Sequence, residues 1–167
     1  IRDRYTQNTQ LDRERTIINL KAMELMKYDA VGIGDDEFNF GKEFLQESIN
    51  KTNLVFLSCN LKTEKVSPYI IKEVAGTKIG IIGVTTLQAK QKAGEIKFID
   101  PKIAVKEAVE ELKKNGANII VLLSHLGENE DLRLIDDVGG IDIIITGHVL
   151  GKDPLSKVGS TLILRTS

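Results

Sequence analysis

The chain has two histidines, and each stands just past the end of an apolar run: His125 after residues 118–123 and Ser124, His148 after residues 141–146 and Gly147. A third run, residues 28–33, leads into Gly34-Asp35-Asp36-Glu37. If the three runs are parallel strands, His125, His148 and the Asp35/Asp36 pair share one rim, because parallel sheets present their ligands at the carboxyl ends of their strands. Imidazole nitrogen with carboxylate oxygen suits Zn, Mn or Fe, and glycines beside these residues let the backbone turn sharply and come close to a ligand. An ion held there could activate water and neutralise a phosphate oxygen. Taken singly, each signal has a plainer use. A histidine at a strand end can simply bond a backbone carbonyl, and Asp35-Asp36-Glu37 suits the capping of a turn.

The elements that must position these groups follow from the hydrophobic pattern. Residues 28–33, 54–59, 77–84, 118–123 and 141–146 are short apolar runs bounded by Gly, Asn or Asp, as buried strands are. Between them lie helical patterns. Leu11, Ile18, Ala22, Leu25 and Met26 fall on one helical face, and Phe44, Leu45, Ser48 and Ile49 mark a shorter helix. Asp100-Pro101 supplies a cap and a first-turn proline before the stripe Ala104, Val105, Ala108 and Leu112, with Gly116 as the stop. Leu132 and Ile135 mark a last helix before Gly139-Gly140. Residues 69–74 and 77–84 flank Ala75-Gly76, which predicts a hairpin within an otherwise alternating order. Alternation of strand and helix predicts an α/β fold with a mostly parallel sheet, helices outside, and one continuous domain over residues 1–167.

Composition removes several classes of function. With 23 Lys and Arg against 24 Asp and Glu, and a pI near 6.2, the chain lacks the basic footprint of a nucleic-acid or membrane-surface binder. The Lys-rich stretch 90–97 and the Lys113-Lys114 pair read as solvated surface, without interleaved aromatics. No apolar run reaches the roughly 20 residues of a membrane span. A single cysteine, Cys59, makes no disulfide framework and no cysteine zinc site. It reads as a small buried hydrophobe, and Gly32-x-Gly34 lacks the third glycine of a dinucleotide loop.

The segment Tyr28-Asp29-Ala30-Val31-Gly32-Ile33-Gly34-Asp35-Asp36-Glu37-Phe38-Asn39-Phe40-Gly41 resembles the Tyr-Asp-Ala-Val-x-x-Gly-Asn-His-Glu-Phe-Asp-x-Gly signature of the calcineurin-like metallophosphoesterases, in their 5′-nucleotidase and 2′,3′-cyclic-nucleotide phosphodiesterase branch. The likeness continues through the hairpin at 68–84, Leu122-Leu123-Ser124-His125-Leu126-Gly127 and Asp142-Ile143-Ile144-Ile145-Thr146-Gly147-His148, in the same order and spacing. It implies a layered α/β sandwich that cleaves nucleotide phosphoesters with two bridged metal ions. His125 and His148 match two ligands of the second metal, and Asp35 stands in the place of its asparagine ligand. Ser58-Cys59-Asn60 matches a small-residue–Asn segment near the rim, which makes Asn60 a candidate substrate contact.

The departures from the signature are as specific as the matches. Asp36 takes the place of the catalytic histidine and so exchanges a group that can be cationic near neutral pH for one that is normally anionic. Leu150 stands where the second histidine of Gly-His-x-His belongs, and the family's opening Asp-x-His and Gly-Asp motifs have no counterpart. The resemblance therefore implies an incomplete domain, lacking its first strands and the family's downstream nucleotide-binding domain. It leaves one divalent ion (Mn, Zn or Fe) at Asp35, His125 and His148, or none. Two functions follow as expectations: impaired hydrolysis of a nucleotide or other phosphoester, or a non-catalytic domain that binds a protein partner. Family members are often exported, so a periplasmic or extracellular setting is expected.

Overall fold

The computed structural model describes residues 9–147 and 154–165. Its elements run, in chain order, α1 (Thr9–Leu25), β1 (Val31–Gly32), α2 (Gly41–Asn50), β2 (Phe56–Leu57), β3 (Leu61–Lys62), β4 (Val66–Ser67), β5 (Tyr69–Val74), β6 (Thr77–Thr85), β7 (Lys97–Phe98), α3 (Pro101–Lys114), β8 (Ile119–His125), α4 (Glu128–Val138), β9 (Ile143–Thr146), β10 (Leu155–Val158) and β11 (Thr161–Arg165). Short 3₁₀ turns at Asp36–Phe38 and Leu87–Gln91 follow β1 and β6.

The strands divide into two main sheets. Six form the order β10-β11-β9-β8-β6-β5, in which β11, β9, β8 and β6 are parallel and each edge is closed by an antiparallel hairpin partner. Strands β1, β2 and β4 make a separate, wholly parallel three-stranded sheet, and β3 pairs with β7. The mostly parallel sheet and the hairpin at Ala75-Gly76 agree with the pattern of the sequence. Of the expected strands 28–33 and 54–59 only Val31–Gly32 and Phe56–Leu57 pair, and they do so in a sheet of their own; the pattern does not show this, because a buried run of either sheet is equally apolar.

One face of the six-stranded sheet carries the larger core. Ile82, Val84, Ile120, Leu122, Ile144 and Ile163 pack there against Ala104, Val105, Ala108, Val109 and Leu112 of α3 and Leu134 of α4. Helix α3 forms where its local signals place it: the Asp100 carboxylate accepts the Ile103 N–H at 3.2 Å, Pro101 occupies the first turn, and Lys113 and Lys114 face the negative end of the helix dipole. The three-stranded sheet lies across the opposite face, and its outer side is covered by α2, whose inward residues are the expected Phe44, Leu45, Ser48 and Ile49.

Contact between the sheets is close enough to dictate sequence. A side-chain carbon at Gly83 would collide with the backbone carbonyl of Leu57, and the Cys59 N–H donates to the Gly83 carbonyl at 2.7 Å. Only a residue without a Cβ lets the two backbones approach in this way.

Helix α1 presents a different face from the one its pattern suggests. Leu11, Ile18 and Leu25 are exposed, Leu25 by 83%, and Met26 just beyond is exposed as well; Leu20 and Met23 are the residues that reach the smaller core. Two stripes of this helix have helical period, and period does not choose between them. Docking decides. Arg13 lies over the rings of Phe40 and Phe44, at 5.6 and 5.1 Å, and this contact turns the helix toward α2.

Candidate functional site

The carboxyl ends of the parallel strands lie in register along one rim: Thr85 opposite His125, Ser124 opposite Thr146, and Thr146 opposite Arg165. The rim meets the end of β1 through a buried polar knot. Thr85 Oγ1 donates to the Ile33 carbonyl at 2.7 Å and lies 2.8 Å from Ser58 Oγ. Asn60 completes the knot. Its Oδ1 accepts from the Thr85 N–H at 2.9 Å and from Ser58 Oγ at 3.0 Å, while its Nδ2 donates to the Thr85 carbonyl at 2.8 Å. Asn60 is wholly buried, so its amide is spent on joining the two sheets.

This joint delivers Asp35 to His125. His125 Nε2 lies 2.9 Å from Asp35 Oδ1, and the ring packs so closely over Gly34 that a Cβ there would stand 2.7 Å from it. The two residues are 90 positions apart and belong to facing sheets, so they meet across the sheet interface and not along one sheet edge. On the other side of the carboxylate, Lys92 Nζ lies 3.3 Å from Asp35 Oδ2 and donates to Asn39 Oδ1 at 2.7 Å. Burial alone would raise the Asp35 carboxyl, but His125 and Lys92 outweigh it and hold the group below the ordinary carboxylate range.

The neighbouring acids serve the turn. The Gly34 N–H donates to Glu37 Oε2 at 2.7 Å, which braces the backbone ahead of the 3₁₀ turn, while Asp35 at the N-cap makes no side-chain capping bond. Desolvation raises the Glu37 carboxyl despite that bond. Asp36 Oδ1 accepts from Asn39 Nδ2 at 2.9 Å, so its carboxylate orients the asparagine that in turn receives Lys92.

Behind His125 lies a second acid. Ser124 Oγ donates to Asp131 Oδ1 and accepts the Leu126 N–H at 3.2 Å, which ties the His125 loop to the first turn of α4. Asp131 is 1% exposed, and burial pushes its carboxyl up to about 6 against the opposing effect of the Ser124 and Thr146 hydroxyls. Arg165 donates to Glu128 Oε1 at 2.5 Å and Ser156 Oγ at 2.9 Å, fastening the same helix turn to β10 and β11. Cys59 is buried and its thiol is pushed up to about 12, which leaves it without nucleophilic character at neutral pH.

The expected metal ligands can be tested against this geometry. His148 and Leu150 lie outside the described residues. Asp35 and His125 do converge, yet they bond one another, and an ammonium already sits on the second carboxylate oxygen. No group of three or more His, Cys, Asp or Glu suited to an ion occurs among the described residues. Asp35 and His125 are thus the two members of the expected ligand set that the described residues bring together, and as placed their facing atoms are already engaged with each other and with Lys92. The cavity beside them, lined by Gly32, Ile33, Leu123, Ser124, His125, Ile145 and Gly147, measures about 160 Å³.

Lys92 and Asp131 were not visible as site residues in the sequence. Lys92 sits in a stretch that reads as solvated surface; its one signal is that its loop follows a strand end on this rim. Asp131 was marked only by being an acid one turn before Leu134 and Ile135, on the buried side of α4.

No family model matches the chain. It is 31% identical over 150 residues to a probable 5′-nucleotidase of Treponema pallidum, an alignment that covers 81% of this chain and 25% of that protein. Among solved structures, the 5′-nucleotidase precursor from Thermus thermophilus superposes with a TM-score of 0.79 at 28% identity, over 91% of this chain and 35% of that one. The calcineurin-like phosphoesterase YfkN of Bacillus subtilis superposes with a TM-score of 0.67 at 26% identity, over 83% and 52%. The chain thus spans about a quarter of the length of the curated relative and about a third to a half of the two structures. In fold and in the proteins it resembles, the chain is a metallophosphoesterase-like domain of the calcineurin-like superfamily, 5′-nucleotidase branch.

Proposed function

We propose that this domain takes nucleotide phosphoesters as its ligand class and that its own hydrolysis is weak. The names of its relatives support the ligand class, and the site supports the weakness. One observation carries the reading: the Asp35 carboxylate, which the family resemblance places as a metal ligand, is held between His125 at 2.9 Å and Lys92 at 3.3 Å. His125 Nε2 is engaged by the Asp35 carboxylate, so that nitrogen is taken up within the protein. Asp36 adds an anion where the family has a histidine, and loss of a general acid or base commonly costs about 10²- to 10⁴-fold in rate.

The test is phosphate release from a nucleoside 5′-monophosphate, with and without added Mn²⁺, beside a calorimetric titration of the same nucleotide. Weak binding with release near the buffer background is expected. Metal-dependent turnover at about 10 s⁻¹, an ordinary enzyme rate, would overturn the impairment. Absence of nucleotide binding would overturn the ligand class. Elemental analysis of the same preparation reads the expectation of one divalent ion at Asp35, His125 and His148.

A second reading, a domain kept for binding a protein partner, is motivated by the paired departures from the family motifs at Asp36 and Leu150. It requires that His125→Ala leave partner capture intact. The periplasmic or extracellular setting stays part of the proposal; no helix among the described residues is long and apolar enough to cross a membrane.

A further inference from the structure

We propose that Lys92 is a built-in cation at the Asp35–His125 pair, taking the electrostatic place of a divalent ion and keeping one out. The inference rests on the reading of the domain as hydrolytically weak and names a residue that makes it so.

Lys92 does not reach the site by chance of a loose loop. It closes the 3₁₀ turn Leu87–Gln91, donating its backbone N–H to the Ala89 carbonyl at 3.0 Å, and the turn opens with Thr86 Oγ1 accepting the Gln88 N–H at 3.4 Å. Ala89 and Ala93, on either side, are fully buried. The backbone that carries Lys92 is therefore anchored in the smaller core, while the side chain runs outward to the rim. Asn39 gives the ammonium a second acceptor at 2.7 Å, and Asn39 is itself oriented by Asp36. The acidic turn thus supplies both the carboxylate that Lys92 neutralises and the amide that aims it.

The charge argument follows from these contacts. Asp35, Asp36 and Glu37 are three consecutive acids, a local excess of negative charge that attracts cations. With the ammonium on Asp35 Oδ2, a divalent ion approaching the same carboxylate meets a like charge at close range and must displace it. Removing the ammonium while keeping the acids reverses the balance. A guanidinium at position 92 preserves the charge and should preserve the exclusion.

The experiment is calorimetric titration of the intact chain with MnCl₂ and, separately, ZnCl₂ at low ionic strength near neutral pH. The proteins are the wild type, Lys92→Met, Lys92→Gln, Lys92→Arg and the double variant Lys92→Met/Asp35→Asn, each checked for fold by circular dichroism. Two neutral replacements guard against one that fails to fold. Lys92→Met and Lys92→Gln are expected to bind Mn²⁺ at least about tenfold more tightly than the wild type, Lys92→Arg to stay close to it, and the double variant to lose the gain. Equal affinity in the wild type and both neutral variants, whether tight or absent, would overturn the proposal, as would Lys92→Arg gaining as much as Lys92→Met. Phosphate release is read separately, so fast turnover by the wild type would defeat the functional reading without being mistaken for this result.

Discussion

Two polar clusters adjoin at the end of the sheets and obey opposite rules. The interior knot of Ser58, Asn60 and Thr85 is neutral, buried and closed, with the amide of Asn60 bonded through both its oxygen and its nitrogen. The rim cluster of Asp35, Lys92 and His125 is charged and partly open, its side chains 20%, 42% and 23% exposed. Register places Thr85 beside His125, so the two differ in environment and not in location. A buried, saturated knot makes the backbone ends rigid because breaking it strands polar groups away from water. A half-exposed ion cluster costs little to rearrange, since water replaces each lost partner. The molecule keeps its precision inside and its exchangeable charge outside.

The sharpest way to break this contrast is Asn60→Ala. It strands the Thr85 N–H and carbonyl together, and a loss of about 3–5 kcal/mol in urea unfolding is expected; a loss no larger than that of a rim variant would erase the distinction. Gly83→Ala attacks the same joint through shape. Its methyl meets the Leu57 carbonyl, backbone that cannot swing aside, and about 2–3 kcal/mol should be lost by the same measurement.

Asp131 tests a group between the two regimes: buried, yet ionisable. Its folded value, about 6, lies above the ordinary 3.8, so the folded state holds the extra proton between them. The stability it contributes is complete below the ordinary value and is lost as pH rises through about 6. Glu128 adds to the upward shift and Arg165 opposes it. The difference in unfolding free energy between wild type and Asp131→Asn should fall by about 2 kcal/mol from pH 4 to pH 7. A flat difference would show that Asp131 behaves as a rim group. The smallest expected effect is Lys92→Met, within about 1 kcal/mol of wild type, because its ion pair is solvated; a larger loss in urea would assign Lys92 to the scaffold.

Legibility followed range. The hairpin at 69–84, the start and stop of α3, and the four inward residues of α2 were all readable, because each depends on bonds or faces within a few residues. His125 at a strand end was readable for the same reason. The inward face of α1 was not, since it depends on Arg13 meeting Phe40 and Phe44 some 30 positions away. Asp35 was readable as a rim acid, but its partner Lys92 lies 57 positions on, in a stretch with every mark of solvated surface.

The sequence by itself therefore determined the helices, the long strands of the main sheet, that His125 would end one strand and that Asp35 would lie in the turn after another, because capping, turn chemistry and hydrophobic period act locally. Tertiary structure alone decided that β1 and β2 leave the main sheet for one of their own, that Asp35 meets His125 across the gap between sheets, and that Lys92 joins them. Those outcomes depend on how closely two backbones approach at Gly83 and on long-range charge pairing. Neither leaves a periodic trace in the chain.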